Sequence, residues 1–82
     1  MLTNRKIQEI LREWKAECGI THTILFRYKF YSGVGYILTI CTDKPGIMIG
    51  VHGETVDKYK AIFKSYDGSF VRIEFIEADG IA

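Results

Sequence analysis

Ile40-Cys41-Thr42-Asp43-Lys44-Pro45-Gly46-Ile47-Met48-Ile49-Gly50-Val51-His52-Gly53-Glu54-Thr55-Val56 is the stretch on which the reading of this chain turns. It reads as the end of a strand, a very short helix over 45–50, a tight Gly-x-x-Gly loop and the start of a second helix. Pro45 suits the first turn of a helix, where its missing N–H is no loss. Gly50 and Gly53 let the backbone approach a ligand without obstruction by a Cβ. The loop feeds a helix N-terminus, whose free N–H groups and dipole favour a phosphate. Ile47, Ile49 and Val56 lie beside it as an aliphatic strip able to accept the flat faces of bases. Phosphate at one edge and an apolar floor at the other is the anatomy expected of a single-strand groove.

Outward from this stretch the periodicity is clear. Ile7, Ile10, Leu11, Trp14 and Cys18 form one stripe of a helix over 3–18, with Gly19 as its stop. Residues 21–31 alternate as a strand, Ile24, Phe26, Tyr28 and Phe30 against Leu25, Arg27, Lys29 and Tyr31. Ser32-Gly33-Val34-Gly35 turns the chain into a second strand, 36–42, where Tyr36, Leu38 and Ile40 share a face. After the loop, Val56, Tyr59, Ile62, Phe63 and Tyr66 are the stripe of a helix over 54–66, closed by Asp67-Gly68. The last strand is 69–77, with Val71, Ile73 and Phe75 on one face and Phe70, Arg72, Glu74 and Ile76 on the other. The order is α-β-β-α-α-β. The strands flanking the helix pair are expected to be parallel, because a helical crossover links parallel strands.

Ile49-Gly50-x-x-Gly53-x-x-Val56 resembles the Ile-Gly-x-x-Gly-x-x-Ile core of KH domains. The wider run from Thr42 to Gly50, with Lys44 before Pro45-Gly46, is similar to the KH domain of the bacterial ribosomal protein S3 family. The element order matches the type II, prokaryotic arrangement, in which a helix and a strand precede the core motif. The resemblance covers about residues 3–77. It implies an α+β fold, a three-stranded mixed sheet with three helices on one face. It also implies a module that holds about four nucleotides of single-stranded RNA or DNA, their backbone clamped by the loop. Gly50 and Gly53 would be the loop glycines, and Val51 and His52 the variable pair whose N–H groups face phosphate. Ile47, Ile49 and Val56 would line the floor, with Ile73 alongside. Many members carry Lys or Arg in the variable pair, and this chain departs from them. Lys44, Lys58, Lys60, Lys64 and Arg72 are the nearby cations, each of which also reads as an ordinary solvated surface charge. His52 reads equally as an exposed loop histidine or a phosphate contact.

The bulk numbers agree with a single domain over 1–82. Hydrophobic residues are 48% and charged residues 26%, ordinary for a globular chain and against a disordered one. A formal net charge of +1 argues against a protein that grips duplex nucleic acid by charge alone. No apolar run is long enough to span a membrane and the N-terminus lacks a signal-peptide pattern, so the cytoplasm is expected. There Cys18 and Cys41 are expected as free thiols. With His22 and His52 they make a Cys2His2 count, but the spacing does not pair them as metal ligands, and no metal or other cofactor is expected. Neither Gly33-x-Gly35 nor Gly50-x-x-Gly53 meets a nucleotide-loop fingerprint and no catalytic constellation stands out, so the chain is not read as an enzyme.

Phe26, Tyr28, Phe30, Phe63 and Phe75 are assigned to the core. Leu25, Ile37, Phe70 and Ile76 are assigned to the sheet face the helices leave open, where they would form a surface for a weak homodimer. The second functional reading is accordingly a protein-interaction or dimerisation module on a KH fold.

Overall fold

The computed structural model describes residues 2–21 and 23–77, so His22 lies outside the described residues. The elements are α1 (Asn4–Cys18), β1 (Leu25–Tyr31), β2 (Gly35–Thr42), α2 (Pro45–Ile49), a 3₁₀ turn (Val51–Gly53), α3 (Glu54–Tyr66) and β3 (Phe70–Glu77). The sheet order is β1-β2-β3. β1 and β2 form an antiparallel hairpin, and β2 and β3 are parallel across the α2–α3 crossover. This is the expected α+β arrangement, with the topology of a type II KH fold.

The ends of α1 are set by local chemistry. Thr3 Oγ1 accepts the Lys6 N–H at 3.1 Å as the N-cap. At the other end Gly19 takes φ 72°. Its N–H donates to the Ala16 carbonyl at 3.2 Å and the Ile20 N–H to the Lys15 carbonyl at 2.9 Å, a Schellman closure that turns buried Ile20 back onto the core. β1 begins at Leu25 rather than at residue 21. Leu25 pairs with Cys41 and β2 ends one residue later, so the chain before Leu25 has little ladder left to join.

The core lies between the helices and one face of the sheet. Ile7, Ile10, Leu11 and Trp14 of α1 meet Leu38 and Ile40 of β2, Met48 of α2, and Tyr59 and Phe63 of α3. Phe26, Tyr28 and Phe75 pack against this cluster as expected. Phe30 does not: it is 54% exposed at the hairpin end, with its ring edge-on to Tyr36.

The open face differs from expectation in two of its four residues. Phe70 is buried on the helix side, its ring 5.6 Å from that of Phe63. The cause is a bulge. Tyr36 pairs with Phe70 and Ile37 with Arg72, so Val71 is an extra residue and the alternation of β3 slips by one. Gly35 permits the close approach there, since a Cβ on it would sit 2.5 Å from the Ser69 carbonyl oxygen. Ile37 is on the open face but only 6% exposed. It sits on the central strand between Lys29 and Arg72, residues whose aliphatic stems cover such a position. Leu25 and Ile76 are exposed, aligned in register on either side of Cys41. The four residues therefore do not form one apolar dimer surface.

Candidate nucleic-acid interface

A five-residue helix is too short to persist by its own hydrogen bonds, yet α2 has to aim the loop that follows it. Its anchors come from elsewhere in the chain. The Met48 side chain is fully buried, and its carbonyl accepts the Trp14 indole N–H at 3.1 Å. The preceding carbonyl, of Ile47, accepts the Cys18 thiol at 3.5 Å. Burial pushes that thiol up from its ordinary value, which keeps the proton the bond needs. Both cysteines are free thiols. At the other end of α2, Thr42 Oγ1 accepts the Lys44 N–H at 3.1 Å. The Lys44 residue itself is exposed.

The loop is a sequence of positive φ angles. Gly50 has φ 82° and ψ 174°, a region open in practice to glycine alone. A Cβ on Gly50 would also lie 2.4 Å from Thr55 Oγ1. His52 has φ 56° and Gly53 has φ 74°. Histidine is among the side chains that enter the left-handed region more readily than most, so the turn is tolerated, but it costs free energy and holds the loop tip out. Val51 is 74% exposed, and His52 is exposed beside it. The Gly53 N–H donates to the Gly50 carbonyl at 3.2 Å. It is thus occupied within the loop, which leaves the Val51 and His52 N–H groups as the pair expected to face phosphate.

These two glycines make different demands. Gly50→Ala meets both a disallowed φ and a Cβ collision with Thr55, whereas Gly53→Ala finds its nearest contact at 4.0 Å, on Val56 Cγ1. We expect Gly53→Ala to cost about 1–2 kcal/mol, the left-handed penalty, and Gly50→Ala distinctly more. Thermal unfolding of the two variants side by side checks the ranking.

The expected floor residues lie on the elements around the loop. Ile47 is 48% exposed and Ile49 half-buried on α2. Val56 on the first turn of α3 and Ile73 on β3 are half-buried and lean on the core. α2 packs on α3 and touches β3, so all four belong to one side of the domain. The charges are less favourable than the bare helix N-terminus suggests. Glu54 and Asp57 occupy the first turn of α3, where carboxylates already answer the helix dipole. Of the cations expected to help, Lys58 is bound to the Glu17 carboxylate. Arg72 pairs with Glu74 at 2.9 Å on the open sheet face. Lys44 and Lys60 remain exposed near the loop's two flanking helices.

Sequence reasoning did not find the clamp that holds these elements. Glu17 accepts both Lys58 and the Tyr59 hydroxyl, the latter at 3.1 Å, and so ties the end of α1 to α3. The lysine holds the Glu17 carboxyl below its usual range. Burial, with the hydrogen bond to that carboxylate, pushes the Tyr59 hydroxyl up to about 12. The Tyr59 ring in turn stacks on Trp14 at 4.7 Å. The charge pattern of α1 carries no sign of this, because its partners are more than forty residues away in sequence.

No family model matches the chain. No solved structure matches it either. A curated relative does: small ribosomal subunit protein uS3 of Parabacteroides distasonis is 31% identical over 78 residues, covering 94% of this chain and 30% of the relative. The chain thus spans about a third of the length of that relative. The chain is distantly similar to ribosomal protein uS3, with an S3-like motif at residues 42–50, and its α-β-β-α-α-β order and mixed three-stranded sheet are those of a type II KH fold.

Proposed function

We propose that this domain binds short single-stranded nucleic acid, RNA first, at the Gly50–Gly53 loop. The observation that carries the reading is the loop itself. Three positive φ angles turn the backbone between α2 and α3 so that Val51 and His52 stand out into solvent. In this reading the Val51 and His52 N–H groups meet a phosphate, with Lys44 supplying charge. The bases lie toward Ile47, Ile49 and Val56, and Ile73 closes the far side. The similarity to a protein of the small ribosomal subunit supports RNA over DNA. The cytoplasm is the setting that goes with this function. Among the described residues no helix is long and apolar enough to cross a membrane.

The electrostatics set the expected strength. With Glu54 and Asp57 beside the loop and no fixed cation within it, binding is weak and salt-sensitive. The slope of log affinity against log salt should be about −0.7 per phosphate neutralised, or about −1 to −3 for a short footprint. Titrating eight-nucleotide RNA, the same DNA strand and a duplex at low salt tests this, with the single strands expected to bind more tightly. His52→Lys should strengthen binding about two- to fivefold, the range of one exposed charge pair. A wild type that binds none of them leaves the domain as a protein-interaction module.

A further inference from the structure

The side of the domain away from the loop carries a second feature. β1 is an edge strand of seven residues, Leu25–Tyr31, in unbroken register with β2 and without proline or bulge. Among the described residues no further strand pairs with its outer edge. Between it and α1 lies a cleft of about 290 Å³, floored by Leu11, Ile24 and Phe26 and rimmed by Arg12 and Lys15. On the opposite face of the same strand, Arg27 and Lys29 point into solvent. Among the described residues none of these four cations has a carboxylate within ion-pair distance. Lys15 also suits the last turn of α1, and Lys29 lies 5.5 Å over the Tyr31 ring. Neither arrangement neutralises the charge.

We propose that the β1 edge is a docking site for an acidic, extended peptide segment of a partner protein, which adds to the sheet as a fourth strand. An unpaired strand edge offers alternating N–H and C=O groups at the spacing of another strand, a ladder a polypeptide completes and a nucleotide chain does not. Side chains of an added strand alternate between the two faces. One set hangs over the cleft beside Arg12 and Lys15, the other beside Arg27 and Lys29. Carboxylates in both sets meet cations, and an apolar residue among them rests on Leu11 and Phe26. Basic residues on an edge also keep copies of this chain from pairing with each other, so the same charges that exclude a second copy select an acidic strand.

The test uses the peptide Thr-Glu-Val-Glu-Glu-Val-Glu-Thr, capped at both ends, and its counterpart with lysine at every glutamate. The acidic peptide should shift the backbone amide resonances of residues 25–31 saturably and slow exchange of the outward amides of β1. The lysine peptide should not. Arg12→Glu with Lys15→Glu should weaken binding about tenfold or more, the combined effect of several exposed charge pairs, and leave RNA binding at the loop unchanged. Arg12→Gln with Lys15→Gln should weaken it less, and serves if the reversal disturbs α1. The proposal is overturned if millimolar peptide produces no saturable shift, if the shifts fall on residues 50–53, or if the lysine peptide binds as well. It is equally overturned if an eight-nucleotide oligouridylate shifts Arg12 and Lys15 as strongly as the peptide does, which would make the cleft a nucleic-acid contact.

Discussion

Replacing Val51 and His52 together by aspartate should reduce oligonucleotide affinity by about thirtyfold or more while leaving the domain folded. The expectation rests on where the two side chains are. Val51 is 74% exposed and His52 is exposed beside it, so neither substitution opens a cavity or buries a charge. The backbone also permits the change. His52 sits at φ 56°, and aspartate enters the left-handed region about as readily as histidine. The effect on binding is electrostatic. Each carboxylate would stand about 4 Å from a phosphate held by the neighbouring N–H groups, and two like charges at that distance in water repel by about 1 kcal/mol. Two such charges amount to about 2 kcal/mol, a factor of about thirty, and loss of the fitted contact adds to it. Fluorescence anisotropy with a labelled eight-nucleotide RNA measures the affinity, and a thermal melt reports the fold. A double variant that binds as well as the wild type would place the interface elsewhere on the domain.

The order of the elements was legible in the sequence because each is announced locally. Ile7, Ile10, Leu11 and Trp14 repeat at helical spacing, Tyr36, Leu38 and Ile40 at strand spacing, and Gly19 and Pro45 mark an end and a start. The loop was legible as a tight turn for a related reason, since two glycines three apart between helical stretches mark a place where the backbone takes positive φ. What escaped was set by long-range pairing. The side on which Phe70 lies depends on the bulge at Val71, and that depends on the register of β3 against β2. An unbulged strand with the same alternation would put Phe70 in solvent. Ile37 is covered because its strand is central, which the topology decides and the residue does not. The same limit hid the supports of the site. Thr55 explains why Gly50 cannot carry a Cβ, and the Gly53 N–H is already taken by Gly50. Neither contact has a sequence signature beyond the glycines themselves.

Trp14 links the stability of the domain to the aim of its loop, and two substitutions should separate these roles. Its side chain is fully buried, stacked on Tyr59 at 4.7 Å and edge-on to Phe75 at 6.0 Å. Trp14→Ala removes the ring and leaves a cavity where three elements meet, so it should cost about 3–5 kcal/mol. In a chain of this size each kcal/mol corresponds to about 4–8 °C in Tm, so the melt should fall by at least about 12 °C. The variant also leaves the Met48 carbonyl, held by the indole N–H at 3.1 Å, without its donor. Trp14→Phe isolates that second loss. It keeps most of the packing and removes the N–H, and an abandoned buried acceptor costs about 1–3 kcal/mol. The consequence for function is specific, because the Met48 carbonyl sits two residues before Gly50, at the end of a helix with few other supports. Trp14→Phe should therefore stay folded at room temperature and still bind RNA more weakly than the wild type. Amide exchange at residues 48–53 should quicken more than exchange in β2. If Trp14→Phe binds as the wild type does and the loop amides exchange no faster, the indole acts on stability alone and α2 is aimed by the burial of Met48.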